Sequence, residues 1–255
     1  MRIVTLTTDF GSSDAYAAAV KAVILSQNRD VQLVDITHQV PPQDILSGRL
    51  ALGDVWHYFP KGTIHLAVVD PEVGTDRHPV IVEADGHLFV GPDNGLLGFT
   101  LACRKKKFWI IRQDLIEGEI RPTFAGRDLF APVVGKLSSG ALPSELGKRL
   151  ELIRDFDISE PRMMGAGVQG EVLTVDRFGN LITNLTEQWK KKDVRVTVGK
   201  TKIVEVSRCY ADVSPGSLLA LWNSSGRLEI AVRDGSAAAF LGKGKGTKVF
   251  IGFRK

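Results

Sequence analysis

Cysteine is scarce in this chain: two in 255 residues, too few for a disulfide framework. Cys103 and Cys209 also lack the spacing of a metal site, and the plain reading makes them small buried or half-buried residues. None of the five histidines is spaced as a metal ligand pair, and no Ser/His/Asp arrangement emerges. No apolar run approaches the length of a membrane span, and the first residues, Met-Arg-Ile-Val-Thr-Leu-Thr-Thr-Asp, lack the apolar region of a signal peptide. A cytoplasmic protein without membrane partners is the default expectation. Charge of one sign is not in excess either, since the net value is only +4. The runs Lys105–Lys107 and Lys190–Lys192 have no interleaved aromatics, so they read as solvated faces and not as a nucleic-acid track. No internal repeat or low-complexity tract is present.

What is there is ordinary for a folded soluble protein, 44% hydrophobic and 24% charged. The length allows one large domain or two smaller ones. The most informative stretch runs from Thr63 to Arg77. Ile64 to Val69 is a nearly unbroken apolar run of buried-strand length, and Asp70-Pro71 stops it. In open α/β sheets ligands bind just beyond the carboxyl ends of strands, where Asp70 would sit. Arg77 lies seven residues on, across a turn containing Gly74, so the two side chains can meet. The alternative is an Asp turn cap followed by a solvated Arg.

Arg2 to Thr8 reads as a first strand, Ser12-Ser13-Asp14 as a helix start and Ala15 to Ser26 as the helix. Val31 to Ile36 is a second strand, ending at Thr37-His38. Pro41-Pro42 opens a second helix with Ile45, Leu46, Leu50, Leu52 and Trp56 on its buried face. This strand–helix alternation predicts a parallel α/β sheet with right-handed crossovers. Pro79–Glu83 and His87–Val90 form a hairpin about Asp85-Gly86, and Gly91 to Gly95 is a tight loop. Phe108 to Arg112 is another strand, while Phe130–Leu137 and Ser144–Leu150 are predicted helical. From Ser159 to Gly170 glycine and turn residues accumulate and mark a boundary. Beyond it strands dominate: Glu171–Val175, Val194–Val198, Lys202–Val206, Leu218–Trp222, Arg227–Val232 and Thr247–Ile251. The expected architecture is an α/β domain over 1–160, a mostly parallel sheet with flanking helices, then a small all-β barrel or sandwich over 168–255.

Three carboxylates fall at predicted strand ends: Asp9, Asp70 and Asp176. A carboxylate accepts two hydrogen bonds side by side and so suits the vicinal hydroxyls of a ribose. Asp9 precedes Phe10-Gly11 and a helix start, the usual address of a nucleotide. The fingerprint Gly-x-Gly-x-x-Gly is absent at that address and a P-loop is missing, which argues against dinucleotide cofactors and ATP phosphate chemistry. Asp176 to Asn184 is a polar run denser than a turn needs, with an Asx turn into a hairpin as its plainer reading. Asn223-Ser224-Ser225-Gly226 is a turn between strands, and Tyr210 is either core or a stacking surface for a planar ligand.

Together these pieces resemble the S-adenosylmethionine (SAM) hydrolases, also called SAM hydroxide adenosyltransferases, relatives of the fluorinating and chlorinating SAM enzymes. The resemblance runs nearly end to end. It is carried by Thr8-Asp9-Phe10-Gly11, Val69-Asp70-Pro71 with Val73-Gly74-Thr75 and Arg77, and Gly91-Pro92-Asp93-Asn94-Gly95-Leu96. Thr123-Phe124 with Gly126-Arg127-Asp128, Asp176 with Phe178-Gly179-Asn180, and Asn223 to Gly226 with Leu228-Glu229-Ile230-Ala231 complete it.

The resemblance implies an α/β domain plus a β-barrel domain, assembled as a homotrimer with active sites between subunits, using neither metal nor organic cofactor. Water or hydroxide attacks the ribose 5′ carbon of SAM, or of its (R)-sulfonium epimer, and releases adenosine and L-methionine. By motif position Asp70 and Arg77 are catalytic, Asp9 holds the ribose hydroxyls and Asp14 lies near the methionine amine. Asp176 and Ser224 bind the methionine part, Asn180 the adenine edge and Tyr210 its face, while Phe124, Glu229 and Val232 line the same pocket. The family's hydrolases carry a histidine between the Phe and Gly of Thr-Phe-His-Gly-Arg-Asp, where this chain has Ala125. Three outcomes follow: Asp70 and Arg77 suffice, another group such as His78 substitutes, or the protein turns over slowly and acts as a SAM- or adenosine-binding protein. Asp70 argues against the halide-using relatives, which have tyrosine there.

Overall fold

In the first half, β-branched runs alternate with alanine- and leucine-rich segments, and the elements follow that alternation. The computed structural model describes residues 2–191, 194–203 and 205–253. The chain divides into two compact units, Met1–Asp157 and Ile158–Lys255.

The first unit contains β1 (Arg2–Thr8), α1 (Tyr16–Gln27), β2 (Val31–Thr37), α2 (Ile45–Gly53) and β3 (Ile64–Val68), then the hairpin β4 (Pro79–Ala84) and β5 (His87–Pro92). After these come β6 (Lys106–Ile111), α3 (Ala131–Ser138), α4 (Pro143–Leu146) and β7 (Gly147–Leu150). The seven strands form one sheet in the order β2-β1-β3-β5-β4-β6-β7. β2, β1, β3 and β5 are parallel neighbours, and β4, β6 and β7 add antiparallel pairings. The sheet is therefore mixed, not mostly parallel. A two-residue turn at Asp85-Gly86, both at positive φ, folds β5 back between β3 and β4.

Local differences from the sequence reading have local causes. Helix α1 starts at Tyr16 without a side-chain cap, because Ser12 to Ala15 form bends. Helix α2 starts at Ile45, not at the prolines, because Asp44 caps it through the Ser47 amide at 3.1 Å. The region expected helical over 144–150 is helix only to Leu146. Gly147 opens β7 against β6, and a Cβ there would lie 2.8 Å from Trp109 Cβ, so the pairing depends on glycine. Helix α3 is preceded by a π-helical turn, Gly126–Phe130. The core is the apolar side of β1 and β3 under α1 and α3, with Leu6, Ile24, Leu66, Phe130 and Leu137 fully buried.

The second unit holds β8 (Arg162–Met164), β9 (Gly167–Val175), β10 (Leu181–Thr186), β11 (Val194–Val198), β12 (Thr201–Ile203) and β13 (Val206–Ser207). β14 (Leu218–Trp222), β15 (Arg227–Val232), the short helix α5 (Ala237–Leu241) and β16 (Lys248–Phe253) complete it. The order β12-β11-β16-β9-β10-β15-β14-β13 ends on strands consecutive in the chain, so the sheet is barrel-like and nearly closed, around Leu181, Leu185, Val196, Ile230 and Ile251. Leu181–Thr186, read as the tail of a polar loop, is a central strand. The strand expected over Lys202–Val206 includes Val204, and the basic run Lys190–Lys192 includes Lys192; both of those residues lie outside the described ones. Gly165 to Gly170 spells Gly-x-Gly-x-x-Gly but joins antiparallel β8 and β9, not a strand and a helix. Among the described residues, no helix is long and apolar enough to cross a membrane.

Candidate active site

β1 and β3 are parallel and in register, Thr8 opposite Val68, so Asp9 and Asp70 leave the sheet at the same carboxyl edge. Residues 61 positions apart are brought to one place by strand pairing alone. Asp70 meets Arg77 as the first of the two readings expects. Arg77 Nε donates to Asp70 Oδ1 at 3.0 Å and Oδ2 at 2.9 Å, and its Nη2 donates to Oδ2. Both side chains are about 95% buried, with exposures of 6% and 5%. The guanidinium carbon also lies 5.4 Å from the centre of the Phe130 ring, so the cation is paired on one side and covered by an aromatic face on the other. Between them Gly74 has φ +84°, and a Cβ there would sit 3.2 Å from the Pro122 carbonyl.

The loop after β5 braces this pair. Asn94 Nδ2 donates to the Val69 carbonyl at 2.9 Å, and the Asp93 amide donates to the His78 carbonyl at 2.8 Å. The segments leading into Asp70 and out of Arg77 are thus tied to one loop. Burial raises the Asp93 carboxyl above its ordinary range, against the amide of Arg154. His78, weighed as a stand-in for the family histidine, is an exposed loop residue.

Asp9 Oδ2 accepts the Gln43 amide at 2.8 Å. Beside it Phe124 packs edge to face on Phe10 and Tyr16, which are tilted against each other, with centroids 5.2 to 6.1 Å apart. Arg127 lies over Phe124 and pairs with Asp128 at 2.6 Å, which holds the Asp128 carboxyl below its usual range. Asp14 is exposed at the entrance of α1. Ala125 is buried, only 6% exposed, and packs in the core cluster with Leu129 and Phe130.

In the second unit Asp176 organises the β9–β10 turn. Its Oδ1 accepts the amides of Phe178 at 2.9 Å and Asn180 at 2.8 Å, and its Oδ2 accepts Asn180 Nδ2 at 3.0 Å. Strand register places Asn180 next to the end of β15 that carries Val232. Tyr210 is half exposed, yet its hydroxyl donates to the buried Glu229 at 2.6 Å. Burial and that carboxylate push the phenol pKa well up, so the hydroxyl stays a donor. The structure thus gathers Asp176 with Asn180 and Tyr210 with Glu229. Ser224 sits on the turn at the opposite end of β15 from Val232, about 20 Å away for a six-residue strand. Cys103 is buried as expected, whereas Cys209 is exposed beside Tyr210.

Comparison with known proteins finds one family over most of the chain. The family models for the N-terminal and C-terminal domains of SAM hydroxide adenosyltransferase match residues 4–147 and 170–250. The chain belongs to the SAM hydroxide adenosyltransferase family. An (R)-S-adenosyl-L-methionine hydrolase of Thermus thermophilus is 38% identical over 98% of this chain and 99% of its own. A protein of the same name from Salinispora tropica is 35% identical over 97% of each. A crystal structure of an uncharacterized conserved protein from Thermotoga maritima superposes with a TM-score of 0.90 at 33% identity, covering 98% of this chain and all of that one. The sequence reading did not single out Asn94, Phe130 or His38, which contact Val69, Arg77 and Thr8 respectively. Asn94 lay within a noted tight loop and His38 directly after a predicted strand, but the bonds that engage them are long-range.

Proposed function

We propose that this protein hydrolyses S-adenosylmethionine, and its (R)-sulfonium epimer in particular, to adenosine and L-methionine. The observation that carries the reading is the buried Asp70–Arg77 pair at the strand edge it shares with Asp9. Water attacks the ribose 5′ carbon. The C5′–S bond breaks with its electron pair going to sulfur, and the sulfonium becomes the neutral thioether of methionine. The attacking oxygen's proton passes to solvent. Because the leaving group is already good, the enzyme's task is to place a partly desolvated oxygen in line with the C–S bond. Asp70, with its charge balanced by Arg77, retains lone pairs that orient such a water, and the guanidinium favours its hydroxide character.

Asp9 takes the ribose hydroxyls, Phe124 walls the site and Asp14 faces the methionine amine. Asn180 and Tyr210 hold the adenine edge and face, with Glu229 and Val232 lining that end. Ser224 and Asp176 serve the methionine part, Asp176 with whatever its turn bonds leave free. The two sets meet across subunit boundaries of a cytoplasmic homotrimer. A protein that is monomeric by light scattering at full SAM affinity would refute that assembly.

A second reading, a SAM- or adenosine-binding protein with little turnover, is favoured by the buried Ala125 in place of an imidazole. Incubation with each purified epimer, with and without chloride and fluoride, separates the readings. Adenosine and methionine forming faster from the (R) epimer support hydrolysis. A 5′-halogenated nucleoside would replace it with halide transfer, and retained, unreacted SAM with binding alone.

A further inference from the structure

A carboxylate that is to hold a ribose diol must be aimed, and the groups that aim Asp9 lie in the segment that follows β2. Thr8, the last residue of β1, is fully buried, and its Oγ1 lies 2.7 Å from His38 Nδ1. The same oxygen accepts the Phe10 amide at 3.3 Å. When the ring carries its hydrogen on Nε2, the Thr8 hydroxyl donates to Nδ1 while accepting the Phe10 amide. His38 Nε2 lies 3.1 Å from Asp35 Oδ1, although in a bent contact and not a well-aligned hydrogen bond. Asp35 Oδ2 in turn accepts Lys21 Nζ of α1 at 2.6 Å. Burial alone would raise the Asp35 carboxyl, but Lys21 and His38 hold it below its usual value.

The backbone repeats the connection. The His38 carbonyl accepts the Gly11 amide at 2.7 Å, and the Thr8 carbonyl accepts the Val40 amide at 3.3 Å. Asp9 therefore sits inside a loop latched at both ends to the segment after β2. That segment then returns to Asp9 itself through the Gln43 amide, with Gln43 held at φ +65°. A non-glycine residue stays in that left-handed region only when its surroundings over-determine it.

We propose that His38 is a positioning residue for the ribose-binding carboxylate. Through the Thr8 hydroxyl it fixes the Thr8–Gly11 loop and so sets where Asp9 presents its oxygens to the 2′ and 3′ hydroxyls. The proposal rests on the reading of Asp9 as the ribose acceptor, and its test separates the two. Calorimetry on the full-length protein compares adenosine with 2′,3′-dideoxyadenosine, which lacks the diol. The wild type is expected to prefer adenosine by about tenfold or more, and Asp9→Ala to bind the two alike. His38→Ala and Thr8→Val lose most of the preference by weakening adenosine while leaving the dideoxynucleoside unchanged. Thr8→Ser, which keeps the hydroxyl, retains it. A His38→Ala protein that keeps the preference, or that weakens both ligands in proportion, overturns the positioning role. Should that variant not fold, the Thr8→Val and Thr8→Ser pair decides by the same ratio. An Asp9→Ala protein that still prefers adenosine removes the ribose reading of Asp9 on its own.

Discussion

Asp70 in the first unit and Asp176 in the second are both strand-end carboxylates, yet they are held by opposite means. Asp70 is pinned by one guanidinium seven residues away, with Phe130 covering the cation. Asp176 is caged by two amides and a side-chain amide within four residues of itself. A carboxylate bonded to a buried cation still has lone pairs with which to accept from water. One whose oxygens are spent on its own turn mainly stores shape. The first arrangement suits chemistry and the second suits presentation of Asn180.

The largest effect expected from this contrast is at Asp70. Because Arg77 bonds both of its oxygens, Asp70→Asn sets an amide N–H against the guanidinium. Turnover should fall about 10²-fold or more from lost placement of the nucleophile. Stability should fall by about 1–3 kcal/mol for the unpaired buried donors. Single-turnover kinetics with unfolding titrations test both, and full activity in the variant would dismiss the pair as catalytic.

Acid should separate the units next, since all five histidines lie in the first. His65 is fully buried, bonded to Thr5 at 2.7 Å and stacked on Phe89 and His87. Burial, with His87 beside it, lowers its pKa from 6.5 to about 3. The folded state binds its proton far less readily than the unfolded chain. Stability is therefore kept above pH 6.5 and lost as pH falls toward 3, by about 2 kcal/mol between pH 7 and 5. Hydrogen exchange at the two pH values should show first-unit amides losing protection while second-unit amides do not. Equal loss in both would break the contrast.

At Asp176 the effect should be smaller. Asp176→Asn keeps an oxygen for the Phe178 and Asn180 amides but turns an N–H toward Asn180 Nδ2, at a cost of about 1 kcal/mol. Adenosine affinity should weaken by a similar amount while single-turnover rate at saturation holds. A variant that binds normally but turns over slowly would mean Asp176 does chemistry after all.

These contrasts track what the sequence could disclose. β3 and the Asp70–Arg77 pair were legible because an apolar run, its Asp-Pro stop and Gly74 all lie within fifteen residues. The mixed order of the sheet was not, because nothing local says that β4 slides between β5 and β6. β10 was obscured by polar residues that prove to be buried and bonded. Thr183 Oγ1 donates to the Leu228 carbonyl at 2.7 Å, and Asn184 reaches the Ser159 carbonyl at 2.6 Å and the Glu171 amide at 2.8 Å. Polarity there marks satisfied interior bonds, which a linear pattern cannot tell from a loop.

The smallest effect on turnover is expected where the family residue is restored. Ala125 opens the π-helical turn, is only 6% exposed and packs with the core beneath α1 and α3. The next residue, Gly126, is equally tight: a Cβ there would stand 3.0 Å from the Phe10 ring. An imidazole at 125 has to displace apolar neighbours, an overpacking cost of about 1–3 kcal/mol in stability. It would also leave ring nitrogens among groups that offer them little. Against this, an imidazole that reached the attacking oxygen would act on the transition state and raise the rate without changing binding. We expect the losses and gains to leave Ala125→His within about tenfold of the parent rate, with its unfolding midpoint lowered. General-base catalysis is worth about 10²–10⁴-fold when the base is well placed. A rate gain of that size at unchanged stability would mean that the first unit still holds an unfilled place for the imidazole, and that the Asp70–Arg77 pair alone is an incomplete catalyst.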